Sequence, residues 1–259
     1  MVKMLVSGCS GAMGKAVIAA ALRHKDCAVM GGLDLHPCAD AGFPVFDRWQ
    51  DCNVDFDILI DFSHPKALDA VIGLASSLKK PVVIATTGYT EEQLERIERL
   101  SQEVPVFFSA NMSMGVALMR ELCVKAAKVL GGSYDIEVVE KHHNQKIDAP
   151  SGTALMLCNA MAAALPQEPQ YVFDRHSSRT KRQAGEIGIH SVRGGTVPGE
   201  HEVLFAGPHE VISISHTAYS RELFASGAIT AALFLIRQQT GLYSMEDLVE
   251  DSDRKKEGL

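Results

Sequence analysis

Residues Val2–Ser7 make a short, nearly unbroken apolar run that leads through Gly8-Cys9-Ser10-Gly11-Ala12-Met13-Gly14 into the helical pattern Met13–Arg23. A strand, a glycine-rich turn and a helix in immediate succession constrain this chain more than any other feature. The turn has to be tight, its backbone has to approach whatever it holds, and the helix has to sit close to the strand. The glycines fall at Gly8, Gly11 and Gly14, a spacing variant of the G-x-G-x-x-G dinucleotide fingerprint. Cys27–Leu33 reads as a second strand ending at Asp34, twenty residues past Gly14. A carboxylate at that place accepts hydrogen bonds from ribose hydroxyls. Gly8, Cys9, Ser10, Gly11, Ala12, Met13 and Asp34 are therefore the expected cofactor contacts. The alternative is an α/β domain that uses its glycines for packing alone.

The alternation continues. Phe56–Asp61, Pro81–Ala85 and Pro105–Ser109 read as further apolar strands, and Pro65–Leu78 and Glu91–Gln102 as the helices between them. Strands apolar along their whole length, alternating with helices, imply a parallel sheet covered on both faces, a Rossmann-type doubly wound α/β fold. Ligands in such folds sit at the carboxyl ends of the strands. Three loops lie there: Asp61-Phe62-Ser63-His64-Pro65, Ala85-Thr86-Thr87-Gly88, and Ser109-Ala110-Asn111-Met112-Ser113-Met114-Gly115. The last two can offer backbone and amide groups to a nicotinamide carboxamide, which makes Ala85, Thr86, Thr87, Ala110, Asn111, Met112 and Ser113 cofactor contacts as well.

Past residue 113 the pattern changes. A long helix, Gly115–Leu130, precedes strands at Tyr134–Glu140, Ile187–Arg193, Glu202–Phe205 and Glu210–Thr217, the last two joined by Gly207-Pro208-His209. The Ala- and Leu-rich helix Ser226–Arg237 is expected to return to the first domain. The expected organisation is a dinucleotide-binding domain, 1–113 plus 223–259, with an inserted α+β domain at 114–222 for substrate binding and oligomerisation.

Composition narrows the function. With 259 residues, 46% hydrophobic and 22% charged, the chain is an ordinary soluble protein. Its net charge of −7 is the opposite of a nucleic-acid binder's balance, so no nucleic-acid partner is expected. No run of eighteen apolar residues occurs, so no membrane span is expected, and the N-terminal apolar run is too short for a secretory signal. Six scattered cysteines without a C-x-x-C pair suit reduced thiols and a cytoplasmic location. The basic cluster Arg175–Arg182 reads either as a solvated loop or as a mobile funnel for an anionic ligand.

The chemistry concentrates in Glu140-Lys141-His142-His143-Asn144-Gln145-Lys146-Ile147-Asp148-Ala149-Pro150-Ser151-Gly152-Thr153-Ala154. Its first half supplies proton donors and acceptors. Its second half reads as a turn opening into the apolar helix Ala154–Ala164, whose first N–H groups form an anion cradle. Acid–base groups beside such a cradle suit a small carboxylated or phosphorylated molecule. The preceding segment alternates like a half-buried strand, so His142 and His143 point to opposite faces and one of them can be structural. Adjacent histidines with no further His or Cys three or four residues away chelate a metal poorly, and no metal is expected.

Together these residues resemble the 4-hydroxy-tetrahydrodipicolinate reductase family, also called dihydrodipicolinate reductases, of the diaminopimelate route to lysine. The resemblance spans nearly the whole chain. It rests on Glu140-x-His142-His143-x-x-Lys146-x-Asp148-x-Pro150-Ser151-Gly152-Thr153-Ala154. In order it also includes Ile60-Asp61-Phe62-Ser63, Ala85-Thr86-Thr87-Gly88, Ala110–Gly115, Gly185-Glu186-Ile187-Gly188 and Arg193-Gly194-Gly195-x-x-x-Gly199-x-His201. It implies that His142 is the proton donor and acceptor and that His143 contacts substrate. Lys146 is then a second proton-donating and carboxylate-binding group, and Gly152 and Thr153 bind a substrate carboxylate through their N–H groups. It also implies a cyclic dicarboxylate substrate, a reduced nicotinamide cofactor, a homotetramer joined through the second-domain sheets, and hinges near Ser113-Met114 and Tyr219–Arg221. Two positions depart from the family pattern: Ala12 stands where an arginine is frequent, a loss that Lys15 can offset, and Ala85 stands where glycine is frequent. Asp34, followed by Leu35 and His36 and not by a fixed cation, favours NADH over NADPH, and the resemblance implies that both are usable. A dinucleotide-sensing regulator would instead carry a helix-turn-helix extension, and the sequence shows none. A related amino-acid or sugar dehydrogenase would lack the His-His-x-x-Lys motif.

Overall fold

A computed structural model of the chain describes residues 1–36 and 42–256. In chain order the elements begin with β1 (Val2–Ser7), α1 (Ala12–Arg23), β2 (Cys27–Leu33), β3 (Val45–Phe46), β4 (Ile58–Asp61), α2 (Leu68–Leu78), β5 (Val82–Ile84), α3 (Glu91–Leu100) and β6 (Pro105–Phe108). They continue with α4 (Met114–Leu130), β7 (Asp135–His142), α5 (Gly152–Ala162), β8 (Gln170–Val172), β9 (Glu186–Arg193), β10 (Gly199–Ala206) and β11 (Val211–Ala218). The chain closes with α6 (Glu222–Leu235), β12 (Gly241–Tyr243) and α7 (Met245–Lys256). It divides into two compact units, Met1–Met114 with Arg221–Leu259, and Gly115–Ser220.

The first unit is built on a seven-stranded sheet in the order β12-β6-β5-β4-β1-β2-β3. Every pairing in it is parallel. The strand order reverses at β1, which makes this a Rossmann-type doubly wound sheet. Its central strands are apolar along their length because both faces are covered: Met4, Leu5, Val6, Ile58, Leu59, Ile60, Val82, Val83 and Ile84 are all buried. The Leu59, Val82 and Ile84 side chains join Val71 and Leu74 of α2 and Ile97 and Leu100 of α3 in one core. On this unit α6 returns against α1 and against β4, β5 and β6. Its run of alanines and glycine allows that close approach: a Cβ at Gly227 would lie 1.7 Å from the Met112 carbonyl oxygen.

The second unit is a mixed five-stranded sheet, β11-β10-β7-β9-β8. The β7–β9 and β8–β9 pairs are parallel, and β10 is antiparallel to both β7 and β11. Strand β7 alternates as its sequence predicts: Ile136, Val138, Glu140 and His142 face inward, and Glu137, Val139 and Lys141 face outward. Ile136 and Val138 meet Met119, Cys123 and Ala127 of α4 and Leu157, Cys158 and Met161 of α5, so both helices share one face. Glu140 and His142 continue that inward row past the end of the apolar core.

Three features differ from the sequence reading. The strand expected from Phe56 starts at Ile58, because the Lys3 N–H donates to the Asp57 carboxylate at 2.8 Å and the ladder begins only beyond it. The 3₁₀ turn Pro65–Ala67 precedes α2 in place of a helix from Pro65. Four elements, β3, β8, β12 and α7, had no counterpart in the sequence reading.

Candidate active site

In the second unit a chain of charged groups converges where β7 ends. Glu140 is fully buried. Its Oε2 lies 2.5 Å from Nδ1 of His142. Arg193, the last residue of β9, grips both carboxylate oxygens, Nη2 to Oε1 at 2.6 Å and Nη1 to Oε2 at 2.8 Å. The Ser151 N–H adds a fourth bond to Oε1 at 3.1 Å. The bidentate guanidinium and the backbone donor compensate a charge that burial alone would expel. Burial pushes the Glu140 carboxyl up, but hydrogen bonds from Arg193, Ser191 and His142 outweigh it and hold the group at about 2.

With Nδ1 committed to Glu140, His142 keeps Nε2 for exchange. Gly199 of β10 makes room for that end of the ring, since a Cβ there would stand 3.1 Å from Nε2. His201, two residues along β10, packs edge-on against His142 with ring centroids 5.2 Å apart. Its Nε2 is 2.9 Å from Ser151 Oγ, and that oxygen also caps α5 by accepting from the Ala154 N–H at 3.1 Å. His142 is pushed below the usual histidine value by burial and by the Lys146 and Arg193 cations, against the pull of Glu140. Burial first, then the neighbouring His142, His216 and Lys146, bring His201 down to about 4 against the pull of Glu140.

Beside this chain the loop after β7 turns back on itself. The Lys146 N–H donates to the His143 carbonyl at 3.1 Å, and Lys146 Nζ pairs with Asp148 Oδ1 at 2.8 Å. The Asp148 carboxyl is lowered first by Lys146 and further by the Gly152 N–H. An internal carboxylate thus stands at the first turn of α5, ion-paired to the lysine, where the sequence predicted a ligand carboxylate. Gly152 and Thr153 are the first two residues of that helix.

In the first unit the residues expected to contact a cofactor lie in the loops at the carboxyl edge of the sheet. Gly8 has φ +75, and a Cβ there would meet the Phe62 carbonyl oxygen at 2.5 Å. A Cβ at Gly14 would fall 2.1 Å from the Gly8 oxygen, so this glycine lets α1 sit on the turn. Gly11 is the N-cap of α1 and brings no side chain to its amides, and the first turn holds no acid. A helix start of this kind suits an anion. Asp34 Oδ2 accepts from the Ser10 N–H at 2.9 Å and Oδ1 from the His36 N–H at 3.0 Å, which fixes the carboxylate while leaving it lone pairs. These features fit a dinucleotide. Ala12 and Lys15 are exposed on the first turn of α1, and Met13 is half-buried.

The neighbouring loops are tied together by Asp61, a fully buried carboxylate at the end of β4. Ser63 Oγ donates to it at 2.5 Å and Thr86 Oγ1 at 2.6 Å, and the Ser63 N–H donates to Thr86 Oγ1 at 2.9 Å. Ala85 is held by its N–H on the Asp61 carbonyl at 2.9 Å. Asn111 accepts from the Ser113 N–H at 2.9 Å. Thr87 and Ala110 are exposed. Cys9, Ala85 and Met112 are buried.

Glu140, Arg193, Gly199, Ser151 and His201 carried no role in the sequence reading. Glu140 had a readable signal, since i and i+2 on a strand share a face with His142. Arg193 and His201 reach the site only through strand pairing. Of the basic cluster, Arg175 bonds Glu137 and Glu186, and Arg182 bonds Glu137 and Asp135, so these two cations are held by carboxylates of the same unit. Among the described residues no group of His, Cys, Asp or Glu is arranged to hold a metal. No helix among them is long and apolar enough to cross a membrane.

Family profiles described as "Dihydrodipicolinate reductase, N-terminus" and "Dihydrodipicolinate reductase, C-terminus" match residues 2–112 and 115–249. The 4-hydroxy-tetrahydrodipicolinate reductase of Caldanaerobacter subterraneus subsp. tengcongensis is 49% identical over 96% of this chain and 99% of its own. That of Clostridium novyi is 42% identical over 98% of this chain and 100% of its own. Among solved structures, a dipicolinate-bound dihydrodipicolinate reductase from Paenisporosarcina sp. TG-14 superposes with a TM-score of 0.80 at 26% identity, covering 95% of this chain and 99% of that one. Fold, glycine turn and relatives define a pyridine-nucleotide-dependent reductase with a separate α+β unit. The chain belongs to the dihydrodipicolinate reductase family.

Proposed function

We propose that this chain reduces 4-hydroxy-tetrahydrodipicolinate to tetrahydrodipicolinate with loss of water, and that His142 and Lys146 are the groups that manage protons and charge. The bound reduced nicotinamide supplies a hydride. The ring carbon that accepts it is activated by conjugation with the cyclic imine once the 4-hydroxyl has left as water. The electron pair then rests in an enamine, and the adjacent ring carbon needs a proton. His142 delivers it from Nε2, because Glu140 holds Nδ1.

The observation that carries this reading is the Arg193–Glu140–His142 chain standing beside the Lys146–Asp148 pair at the start of α5. The two substrate carboxylates engage Lys146 with His143, and the Gly152 and Thr153 N–H groups. In doing so one of them displaces the Asp148 carboxylate. The incoming negative charge also offsets the cations that hold His142 low, so the histidine gains its proton as substrate binds. Binding energy from carboxylates that do not react orients the carbon that does.

NADH is the preferred cofactor in this reading, because Asp34 accepts from ribose hydroxyls and repels a 2′-phosphate. The second unit is the substrate and oligomerisation domain of a homotetramer. The sheet face opposite α4 and α5 carries Glu137, Lys141 and Glu200, and edge strand β11 exposes Val211 and Ile212. Such a surface suits burial against another copy. The cytoplasm, where the substrate would be made, is the proposed location.

The test is direct. Pure protein is mixed with NADH and with 4-hydroxy-tetrahydrodipicolinate freshly formed from pyruvate and aspartate semialdehyde. Loss of the nicotinamide absorbance band supports the reading, and no loss at saturating substrate defeats it.

A further inference from the structure

A cleft of about 280 Å³ in the first unit is lined by Gly8, Gly11 and Asp34 together with Leu35, Phe62 and Trp49. Trp49 is the only tryptophan in the chain. It opens the short 3₁₀ turn Trp49–Asp51 and is half-buried, packed against the core beneath α2. Its indole lies close on Gly73, in the middle of α2. A Cβ on Gly73 would stand 2.9 Å from Cζ2 and 3.0 Å from Cε2 of the indole. Glycine is among the least favourable residues for a helix interior, so its presence at this point of α2 has a packing reason. The helix gives up a side chain at the position where the ring rests.

The indole is thereby fixed from behind by α2 and presents another part of its surface to the cleft. Asp34 sits in the same cleft with its carboxylate pinned by the Ser10 and His36 N–H groups. A ribose held by Asp34 carries its base one glycosidic bond away. Away from the glycine turn, the apolar lining of the cleft comes from Leu35, Trp49, Phe62, Ala67 and Ala70, and among these the indole offers the largest flat face for a base to stack on. We propose that Trp49, seated on Gly73, is the wall against which the adenine of the dinucleotide packs, and that it sets the affinity for the adenosine half of the cofactor. This inference rests on the reading of the first unit as a dinucleotide site.

Because no other tryptophan emits, the test reads this contact alone. ADP-ribose, which lacks the nicotinamide and its absorbance band, is titrated into the full-length protein while tryptophan emission is followed, with calorimetry in parallel. Emission should change with the same midpoint as the heat. Trp49→Ala should weaken ADP-ribose roughly tenfold or more, the scale of a lost base–aromatic contact. Trp49→Phe should keep most of the affinity, and Gly73→Ala, which dislodges the indole, should weaken binding and shift the emission maximum. Binding of pyridine-2,6-dicarboxylate, measured on each variant, separates these effects from misfolding. Calorimetric binding with unchanged emission overturns the proposal, as does Trp49→Ala within about twofold of wild type. Failure of the wild-type protein to bind ADP-ribose at all overturns both this proposal and the dinucleotide reading beneath it.

Discussion

Asp61 in the first unit and Glu140 in the second are both fully buried carboxylates near the end of a strand, and both sit beside residues of a proposed site. Their electrostatics are opposite. Asp61 is met by hydroxyls of Ser63, Thr86 and Ser7 and, among the described residues, by no cation, and burial pushes its carboxyl up. Glu140 is met by Arg193 and His142 and is held at about 2. Burial is common to the two, so the neighbours decide the sign. Asp61 ties together two loops that would place a cofactor, a task that needs hydrogen bonds but no net charge. Glu140 orients a proton carrier and has to remain an anion while that carrier changes charge.

The largest expected effect tests which of the two units does the acid–base chemistry. His142→Ala and Lys146→Ala should each lower kcat by about 10²–10⁴-fold. NADH binding, measured by calorimetry, should stay near wild type. A double variant that keeps half of wild-type kcat would remove both residues from the mechanism.

The second test sets the two carboxylates against each other. Glu140→Gln leaves the half-buried Arg193 without its counter-charge and should cost about 1–3 kcal/mol of stability at neutral pH. Glu140 is lowered from 4.5 to about 2, so its stabilising contribution is complete above pH 4.5 and is lost as pH falls toward 2. The penalty of the Gln variant should therefore fade over that window. Asp61 is raised above 3.8, so its contribution is present at low pH and lost as pH rises through its folded value. Asp61→Asn should be the milder variant near neutrality and relatively costlier in acid. His201, lowered from 6.5 to about 4, adds a loss of stability as pH falls between those values, since the unfolded chain takes up the proton first. Denaturant titrations of both variants across pH 3–8 would check the signs, and parallel pH trends would remove the contrast.

Part of this contrast was legible in the sequence. The alternation from Ile136 onward puts Glu140 and His142 on one face, and the strand–glycine–helix run puts Gly8, Gly14 and Asp34 at one sheet edge. What could not be read is what depends on register. Arg193 reaches Glu140 because β9 pairs in parallel with β7, His142 opposite Arg193, and His201 reaches Ser151 because β10 runs antiparallel to β7. No local pattern encodes those pairings. The two- and three-residue strands β3, β8 and β12 are too short to show a period, and α7 is so rich in charge that its buried Met245, Leu248 and Val249 are a sparse signal. The Lys146–Asp148 pair lay within the motif, but the carboxylate's place at the start of α5 follows from how the loop turns.

Smaller effects sharpen the assignment of each unit. Asp34→Ser should move the ratio of kcat/KM for NADPH over NADH upward by roughly tenfold, the loss of one repulsive charge near a phosphate. A wild-type enzyme that clearly prefers NADPH would refute the role given to Asp34. Asp148→Asn removes the internal competitor for Lys146 and should lower KM for substrate by roughly 2- to 5-fold, the range of an exposed ion pair. A raised KM would mean that Asp148 helps hold the substrate.

The most direct measurement follows the His142 imidazole by NMR as pH is varied, in the free protein and with saturating pyridine-2,6-dicarboxylate, its resonance assigned by His142→Gln. In the free protein it should titrate below the usual histidine value of 6.5. With the dicarboxylate bound it should titrate higher, with Nδ1 still protonated toward Glu140. A midpoint that does not move, or that falls, would contradict the claim that the substrate's own charge arms His142 as the proton donor.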